Sequence, residues 1–310
     1  MNLSVIICTH NRAAILRQTL ETFCQLRIDS GLKWELVLVD NNSSDDTRAV
    51  ADEFRDRLPV RYVFELKQGL SAARNRGAGE AGGEILLFTD DDVDVDPLWL
   101  TQFWKAARKN PEAVFWGGKI LPRWEKPPPR WLAENSAQLL GGAMGHLDLG
   151  DEPRWLQVGG PETFFGGNMA FRRELLVDGR SFDMDLGRNG AQLVHGEETA
   201  LIKRLVREGY KGLYVPGAIV YHRTPATNMT ELYVRRWFRG YGVTKVRNGE
   251  AQPDLIFCGW PLKSVRKSVV NAVKYVFARR TRPARVWLKA ETKMAMAWGI
   301  AVETHRRSRS

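Results

Sequence analysis

Apolar residues along the chain fall first into short continuous runs and then into helical stripes. Residues 3–9 read as a β-strand, and 13–27 as a helix with Ile15, Leu16, Leu20 and Phe23 on one stripe. Glu35–Val39 is a second buried strand ending at Asp40. Capping residues over 41–46 then introduce a helix over 46–57. Residues 60–65 predict a third strand, 70–81 a helix opened by Gly69, and 84–89 a fourth strand after Gly82-Gly83. Strands alternating with helices at this spacing predict an α/β fold with a doubly wound, mostly parallel sheet.

The rhythm changes after about residue 110. Residues 116–132 mix Trp116, Trp124 and Trp131 with four prolines, which predicts an ordered loop. A strand-like stretch follows at 162–172, a helix at 197–208, short strands at 213–215 and 218–221, and a helix over 229–248. The expected organisation is a main domain over 1–225, divided into two halves, 1–110 and 111–225. A helical extension covers 226–310.

Charge sharpens that division. The chain of 310 residues carries a net +10, yet residues 261–310 hold 13 Lys and Arg against 2 Asp and Glu. The remainder is close to neutral, so the charge gives no reason to expect nucleic acid binding by the main domain. Two stripes run through this tail: Leu262, Val265, Val269, Val273 and Val276, then Trp287, Ala290, Met294, Trp298 and Ala301. Basic amphipathic helices of this kind suit an anionic membrane surface; the bland alternative is two helices docked on protein. The main domain's candidate site is expected to survive removal of the tail, since every motif below precedes residue 223. Three scattered cysteines build no disulfide framework, no leader segment is visible, and no apolar run approaches the ~18 residues needed to cross a bilayer. A cytoplasmic protein, peripheral on the cytoplasmic face of the membrane, is expected.

Candidate chemistry clusters at strand ends. Asp90-Asp91-Asp92 closes the apolar run 84–89, and three adjacent carboxylates repel one another unless a cation neutralises them. Mg²⁺ or Mn²⁺, which take oxygen ligands and bridge to phosphates, answer that need; an acidic turn is the alternative. Thr9, Asn11 and Arg12 follow the first strand, where a strand-to-helix turn offers N–H groups to an anion, although Asn11 can simply cap the helix. No GxGxxG fingerprint is present. Asp40 can accept hydrogen bonds from a base or ribose, or serve its own turn. Arg74 and Asn75 lie one turn into a helix. Gly166-Gly167-Asn168 allows close backbone approach to a ligand, or marks a bulge. Glu197 and Glu198 open a helix, where carboxylates also serve as dipole partners. His222 is a lone histidine.

Taken in order, these segments resemble the family-2 glycosyltransferases, inverting enzymes with a GT-A fold. The likeness rests on Ser4–Arg12, Val39–Thr47, Gly69–Gly77 and Phe88–Asp92, then on Gly166-Gly167-Asn168 and Gly196-Glu197-Glu198, and covers roughly residues 3–222. It implies that Asp40 binds the nucleotide base, that Thr9 and Arg12 line the nucleotide pocket, and that Asn11, Arg74, Asn75, Asp90 and Asp91 also serve the nucleotide sugar. It implies direct metal ligation by Asp92, with His222 as an extra metal or diphosphate contact. The catalytic base falls on Glu198, where the family usually keeps Asp, with Glu197 as the alternative. Gly167, Asn168, Trp124 and Trp131 are expected around the acceptor or sugar. The implied activity is metal-dependent transfer from a nucleotide sugar to a saccharide or lipid-linked acceptor in cell-surface polysaccharide or glycolipid synthesis. A phosphatase fits less well, since Asp94 stands where its pattern needs Thr or Val after Asp90. A non-catalytic sugar-nucleotide binding subunit is the remaining alternative.

Overall fold

A computed structural model of the protein describes residues 1–157, 163–177, 179, 181–187, 195–251 and 254–309. Residue 162 of the expected 162–172 strand lies outside the described residues. The strands are β1 (Leu3–Thr9), β2 (Trp34–Asp40), β3 (Val60–Phe64), β4 (Ile85–Asp90), β5 (Val93–Val95), β6 (Ala113–Trp124), β7 (Arg154–Trp155), β8 (Asn168–Arg172), β9 (Lys211–Thr224), β10 (Ile256–Phe257) and β11 (Trp260–Pro261). The helices are α1 (Ala13–Phe23), α2 (Thr47–Glu53), α3 (Leu70–Glu80), α4 (Trp99–Lys109), α5 (Arg130–Ala133), α6 (Gly141–Met144), α7 (Arg173–Val177), α8 (Glu197–Arg207), α9 (Glu231–Arg247), α10 (Leu262–Thr281) and α11 (Ala284–Arg307).

The chain forms two compact units. The first comprises residues 1–123, 145–184 and 197–223, and the second comprises 124–144, 185–196 and 224–310. The first is built on one sheet of order β3-β2-β1-β4-β8-β6-β9-β5, with β7 on β9. Strands β3, β2, β1 and β4 are mutually parallel, and β8 joins β4 antiparallel. The central strands read as unbroken apolar runs because helices cover both of their faces. Leu16, Leu20 and Phe23 of α1 and Trp99 and Phe103 of α4 are buried in this core. Helix α3 lies close on the sheet: a Cβ on Gly77 would stand 2.5 Å from Ile6 Cγ2.

Register decides where the polar strand ends fall. Thr9 pairs with Asp40, and Cys8 with both Val39 and Asp90. The carboxyl ends of β1, β2 and β4 therefore meet at one edge, where open α/β sheets bind ligands. On the antiparallel side Val93 pairs with His222, which returns β9 to the segment after Asp92.

Two expectations are corrected. The first half of the supposed loop 116–132 is strand β6: Phe115, Trp116 and Ile120 are buried in the sheet, and only after Trp124 do the prolines take over. Pro216-Gly217 does not split two strands, because β9 runs through from Lys211 to Thr224.

The second unit is helical, and α11 packs against both α9 and α10. Gly242 and Gly299 let α9 and α11 come together; a Cβ on Gly299 would stand 2.0 Å from the Arg239 carbonyl oxygen. Glu291, fully buried, accepts from Arg235 Nη2 at 2.7 Å, and Glu303 accepts from Arg247 Nε at 3.2 Å. Trp287, Ala290 and Ala301 are buried here. Most of that tail stripe therefore lies inside the helical unit, although Trp298 is 40% exposed and stacks on Trp260; this corrects the expectation that both stripes face a membrane. Among the described residues no helix is long and apolar enough to cross a membrane.

Candidate active site

Arg12 organises the acidic motif. Its Nη1 donates to Asp91 Oδ1 at 2.6 Å and its Nη2 to Asp92 Oδ2 at 2.8 Å. Thr9 Oγ1 donates to Asp91 Oδ2 at 2.7 Å. Asp91 is thus tied down inside the protein, where burial pushes its carboxyl up to about 7 against the pull of Arg12. Burial opposes the charge of Arg12 too, but Asp91 and then Asp92 outweigh it and raise its pKa. The fork of Arg12 fits this task because a guanidinium can hold two carboxylates in fixed directions.

Asp90 and Asp92 stand on either side of this anchor. With His222 they offer three ligand atoms within 4.8 Å of one another, and His222 Nε2 lies 3.5 Å from Asp92 Oδ1. Two carboxylate oxygens and an imidazole suit Mn²⁺ or Mg²⁺. Gly167 leaves room for this cluster, since a Cβ there would approach Asp90 Oδ2 to 2.8 Å. Its carbonyl oxygen is held by Thr89 Oγ1 at 2.8 Å. The glycine opening inferred from sequence therefore serves Asp90 directly.

The nucleotide-side residues assemble at the β1–β2 edge. Asp40 accepts from Ser43 N at 2.8 Å and from Tyr62 Oη at 2.7 Å. Burial, then the bond to Asp40, push Tyr62 up to about 12, so it remains a donor. Asn11 adopts φ 52°, a left-handed conformation Asn tolerates, and its Oδ1 accepts from Ser44 N at 2.7 Å. Its side chain staples the two loops together and does not cap α1.

Glu197, Glu198 and Arg74 form the third part. Arg74 is buried, donates to Glu197 Oε1, lies 3.6 Å from Asp90 Oδ1 and sits over the Phe182 ring. Gly166 makes space for it, because a Cβ there would collide with Nη2. Glu198 follows on the first turn of α8. Its Oε2 is buried and, among the described residues, has no hydrogen-bond partner. Burial, then the adjacent charge of Glu197, push its carboxyl up to about 8. Such a group is poised to take a proton near neutral pH. Beneath it all, burial pushes the Cys8 thiol up to about 12, which leaves an inert thiol and no nucleophile.

Other motif positions are consumed by the protein itself. The Asn75 amide clamps the backbone of Phe182, accepting from its N–H and donating to its carbonyl, both at 2.9 Å. Asn168 is buried within the sheet. It donates to the carbonyls of Lys119 and Ala218 and accepts from Trp99 Nε1, which leaves its donors occupied. Trp124 and Trp131 pack against the core of the helical unit, Trp131 with its ring 5.9 Å from Trp287. Sequence reasoning passed over Tyr62, and it weighed Asp94 only against a phosphatase pattern, whereas Asp94 is buried with Arg123 and Arg223 as partners. Only Arg223, one residue beyond His222 on a strand, carried a signal, that of side-chain alternation.

The family model for glycosyl transferase family 2 matches residues 4–178. The chain belongs to this family. It is 26% identical to the glucosyl-dolichyl phosphate glucuronosyltransferase of Haloferax volcanii over 248 residues, 78% of this chain and 76% of that one. It is 25% identical to the succinoglycan biosynthesis protein ExoM of Rhizobium meliloti over 243 residues, 77% of this chain and 72% of that one. In fold it resembles the mannosyltransferase PcManGT from Pyrobaculum calidifontis, solved in complex with GDP-Man and Mn²⁺. The TM-score is 0.61 with 17% identity, over 96% of this chain and 85% of that one. The protein is a glycosyltransferase, and its mixed, helix-flanked sheet is that of its GT-A neighbours.

Proposed function

We propose that this glycosyltransferase is metal-dependent and inverting, and that it moves a sugar from a nucleotide sugar to a hydroxyl group of a saccharide or lipid-linked acceptor. The observation that carries the reading is the pairing of two devices in the first unit. One is the Asp90, Asp92 and His222 cluster with ligand atoms within 4.8 Å. The other is Glu198 with its buried oxygen, unpartnered among the described residues, and its raised pKa.

In this mechanism Asp40, held by Tyr62 and Ser43, accepts from the base or ribose, and Thr9 and Asn11 shape that edge. Arg12 holds Asp91 and Asp92 in place. Asp90, Asp92 and His222 would hold a Mn²⁺ or Mg²⁺ ion, which would supply charge neutralisation to the diphosphate. Arg74 fixes Glu197 and so the first turn of α8. Glu198 takes the proton of the acceptor hydroxyl as its oxygen bonds to the anomeric carbon, while the bond to the diphosphate breaks on the opposite face. A single displacement inverts the configuration and requires no covalent sugar–enzyme bond. The relatives named for a dolichyl-phosphate sugar and for succinoglycan support a polysaccharide or glycolipid product, and we place its synthesis at the cytoplasmic face of a membrane.

Thermal-shift measurements with UDP, GDP and dTDP and their sugars, with Mn²⁺ and then with EDTA, test this reading. Ligand binding to the folded state raises the melting temperature by mass action. A shift that requires Mn²⁺, followed by turnover giving the inverted anomer, is expected. Retention of configuration, or full turnover in excess EDTA, contradicts it.

A further inference from the structure

Helix α10 is folded inside out for a soluble helix. Its polar and small residues make the docked side: Ser264, Ser268 and Ala278 are buried, and Ser268 Oγ donates to the Met294 carbonyl of α11 at 3.2 Å. Asp254 accepts from the N–H groups of Lys263 and Ser264 at 2.9 Å each, which fixes the start of the helix. The opposite side carries Leu262, Val269, Val270, Val273, Val276 and Phe277, all between 43% and 72% exposed. Positions 262, 269, 273 and 276 recur at helical spacing, so these side chains form one stripe. Scattered exposed apolar residues need no explanation, but a continuous stripe marks an interaction surface. Just before it, Leu255, Ile256 and Phe257 of the β10–β11 hairpin are also exposed, and the Leu262 N–H donates to the Leu255 carbonyl at 2.9 Å.

From this inverted helix we infer that the exposed face of α10, with the adjoining β10 residues, is a docking surface for an anionic lipid bilayer. Charge selects the occupant. Residues 262–281 contain Lys263, Arg266, Lys267, Lys274, Arg279 and Arg280 and no acidic residue. Lys263, Lys267 and Lys274 flank the apolar stripe, where an interfacial helix places its cations against lipid headgroups. A second copy of the chain would bring the same cations against these, with no acid on either helix to answer them. The helix is too polar to span the bilayer, so it lies in the interface.

This inference rests on the membrane setting proposed above and on none of the transfer chemistry. Co-sedimentation of the full chain with phosphatidylcholine vesicles, with and without phosphatidylglycerol, tests it in the absence of nucleotide. Wild-type protein should bind the anionic vesicles, and salt should weaken binding. The exposed double variant Val273→Asp, Phe277→Asp should lose binding while keeping the wild-type melting curve. Replacing Lys263, Lys267 and Lys274 by Gln should weaken binding roughly 100-fold, at about 1 kcal/mol for each cation near the surface. If wild-type protein binds and both variants bind equally well, the face is wrong while the membrane setting stands. If wild-type protein binds neither vesicle, both fall. A salt-resistant dimer that Val273→Asp dissociates, without vesicle binding, would instead assign the face to a second copy and overturn the inference.

Discussion

At the scale of single residues, the site is a contest between burial and charge. Glu198 is half-buried, but its Oε2 is enclosed beside Glu197, so the folded protein favours its protonated form and its pKa rises to about 8. The kcat/KM of the enzyme should therefore climb with pH up to about 8 as the proposed base ionises. Stability runs the other way. The folded state binds this proton more tightly than the unfolded chain, so the contribution is complete below the ordinary carboxyl range and is lost as pH rises through 8. Urea titrations of wild type and Glu198→Gln at pH 5 and 9 should show a steeper fall in the wild type, since Asp91, raised to about 7, contributes equally to both. Glu198→Gln should also slow turnover about 10²–10⁴-fold while leaving donor binding nearly intact. Glu197 answers differently. It is paired with buried Arg74, so Glu197→Ala should cost roughly 3–5 kcal/mol of folding stability by stranding that guanidinium. Urea unfolding would measure it, and an unchanged midpoint would refute the pairing argument. The acidic and basic positions of this site could be read from sequence because unusual charge at strand ends is itself a signal. The occupancy of an amide could not. Asn75 and Asn168 stand at motif positions, yet their partners are backbone groups more than 45 residues away, and no local pattern reveals these.

At the scale of elements, hydrophobic periodicity located the strands β1, β2 and β4 and the helices between them, since each is a long run with one period. It failed at β6 and β9 for a common reason. Prolines near the end of one and within the other suggested breaks, whereas sheet pairing on both sides carries the strand through. It also could not tell which way an amphipathic helix faces. The stripes on α10 and α11 look equivalent in sequence, yet the first is mostly exposed and the second mostly buried, because small residues on α9 and α11 decide which surfaces can meet. That argument makes Gly299 a sensitive position. Its Cβ would meet the Arg239 carbonyl at 2.0 Å, and backbone yields poorly. Gly299→Leu should force α9 and α11 apart at a cost of about 1–3 kcal/mol or more, visible as a lowered melting temperature. The exposed Val276→Leu should leave it unchanged.

At the scale of the whole molecule, the basic charge and the helical unit occupy the same stretch of chain. The sequence suggested that the nucleotide site would survive removal of the tail, with aggregation as the outcome if Trp287 and Trp298 pack on protein. The packing argues otherwise, since α11 supplies Trp287 and Leu288 to a core shared with Leu132, Leu140 and Val234. It also supplies Glu291 and Glu303 to Arg235 and Arg247 of α9. A chain ending at residue 260 should expose this apolar surface and aggregate, as size-exclusion chromatography would show. A monodisperse truncated protein would mean that α9 holds its place alone.

The arrangement around Asp92 has a thermodynamic consequence. One of its oxygens is committed to Arg12, and the other faces His222. Asp90, Asp92 and His222 thus offer three donors where Mn²⁺ or Mg²⁺ favours about six, the others being water or phosphate oxygens. The protein alone should hold the ion weakly, and a nucleoside diphosphate should hold it together with the protein. Each ligand must then raise the affinity of the other by the same factor, because the two routes to the ternary complex share their end points. Calorimetric titrations in both orders would measure that factor twice, once from the side of the ion and once from the side of the nucleotide.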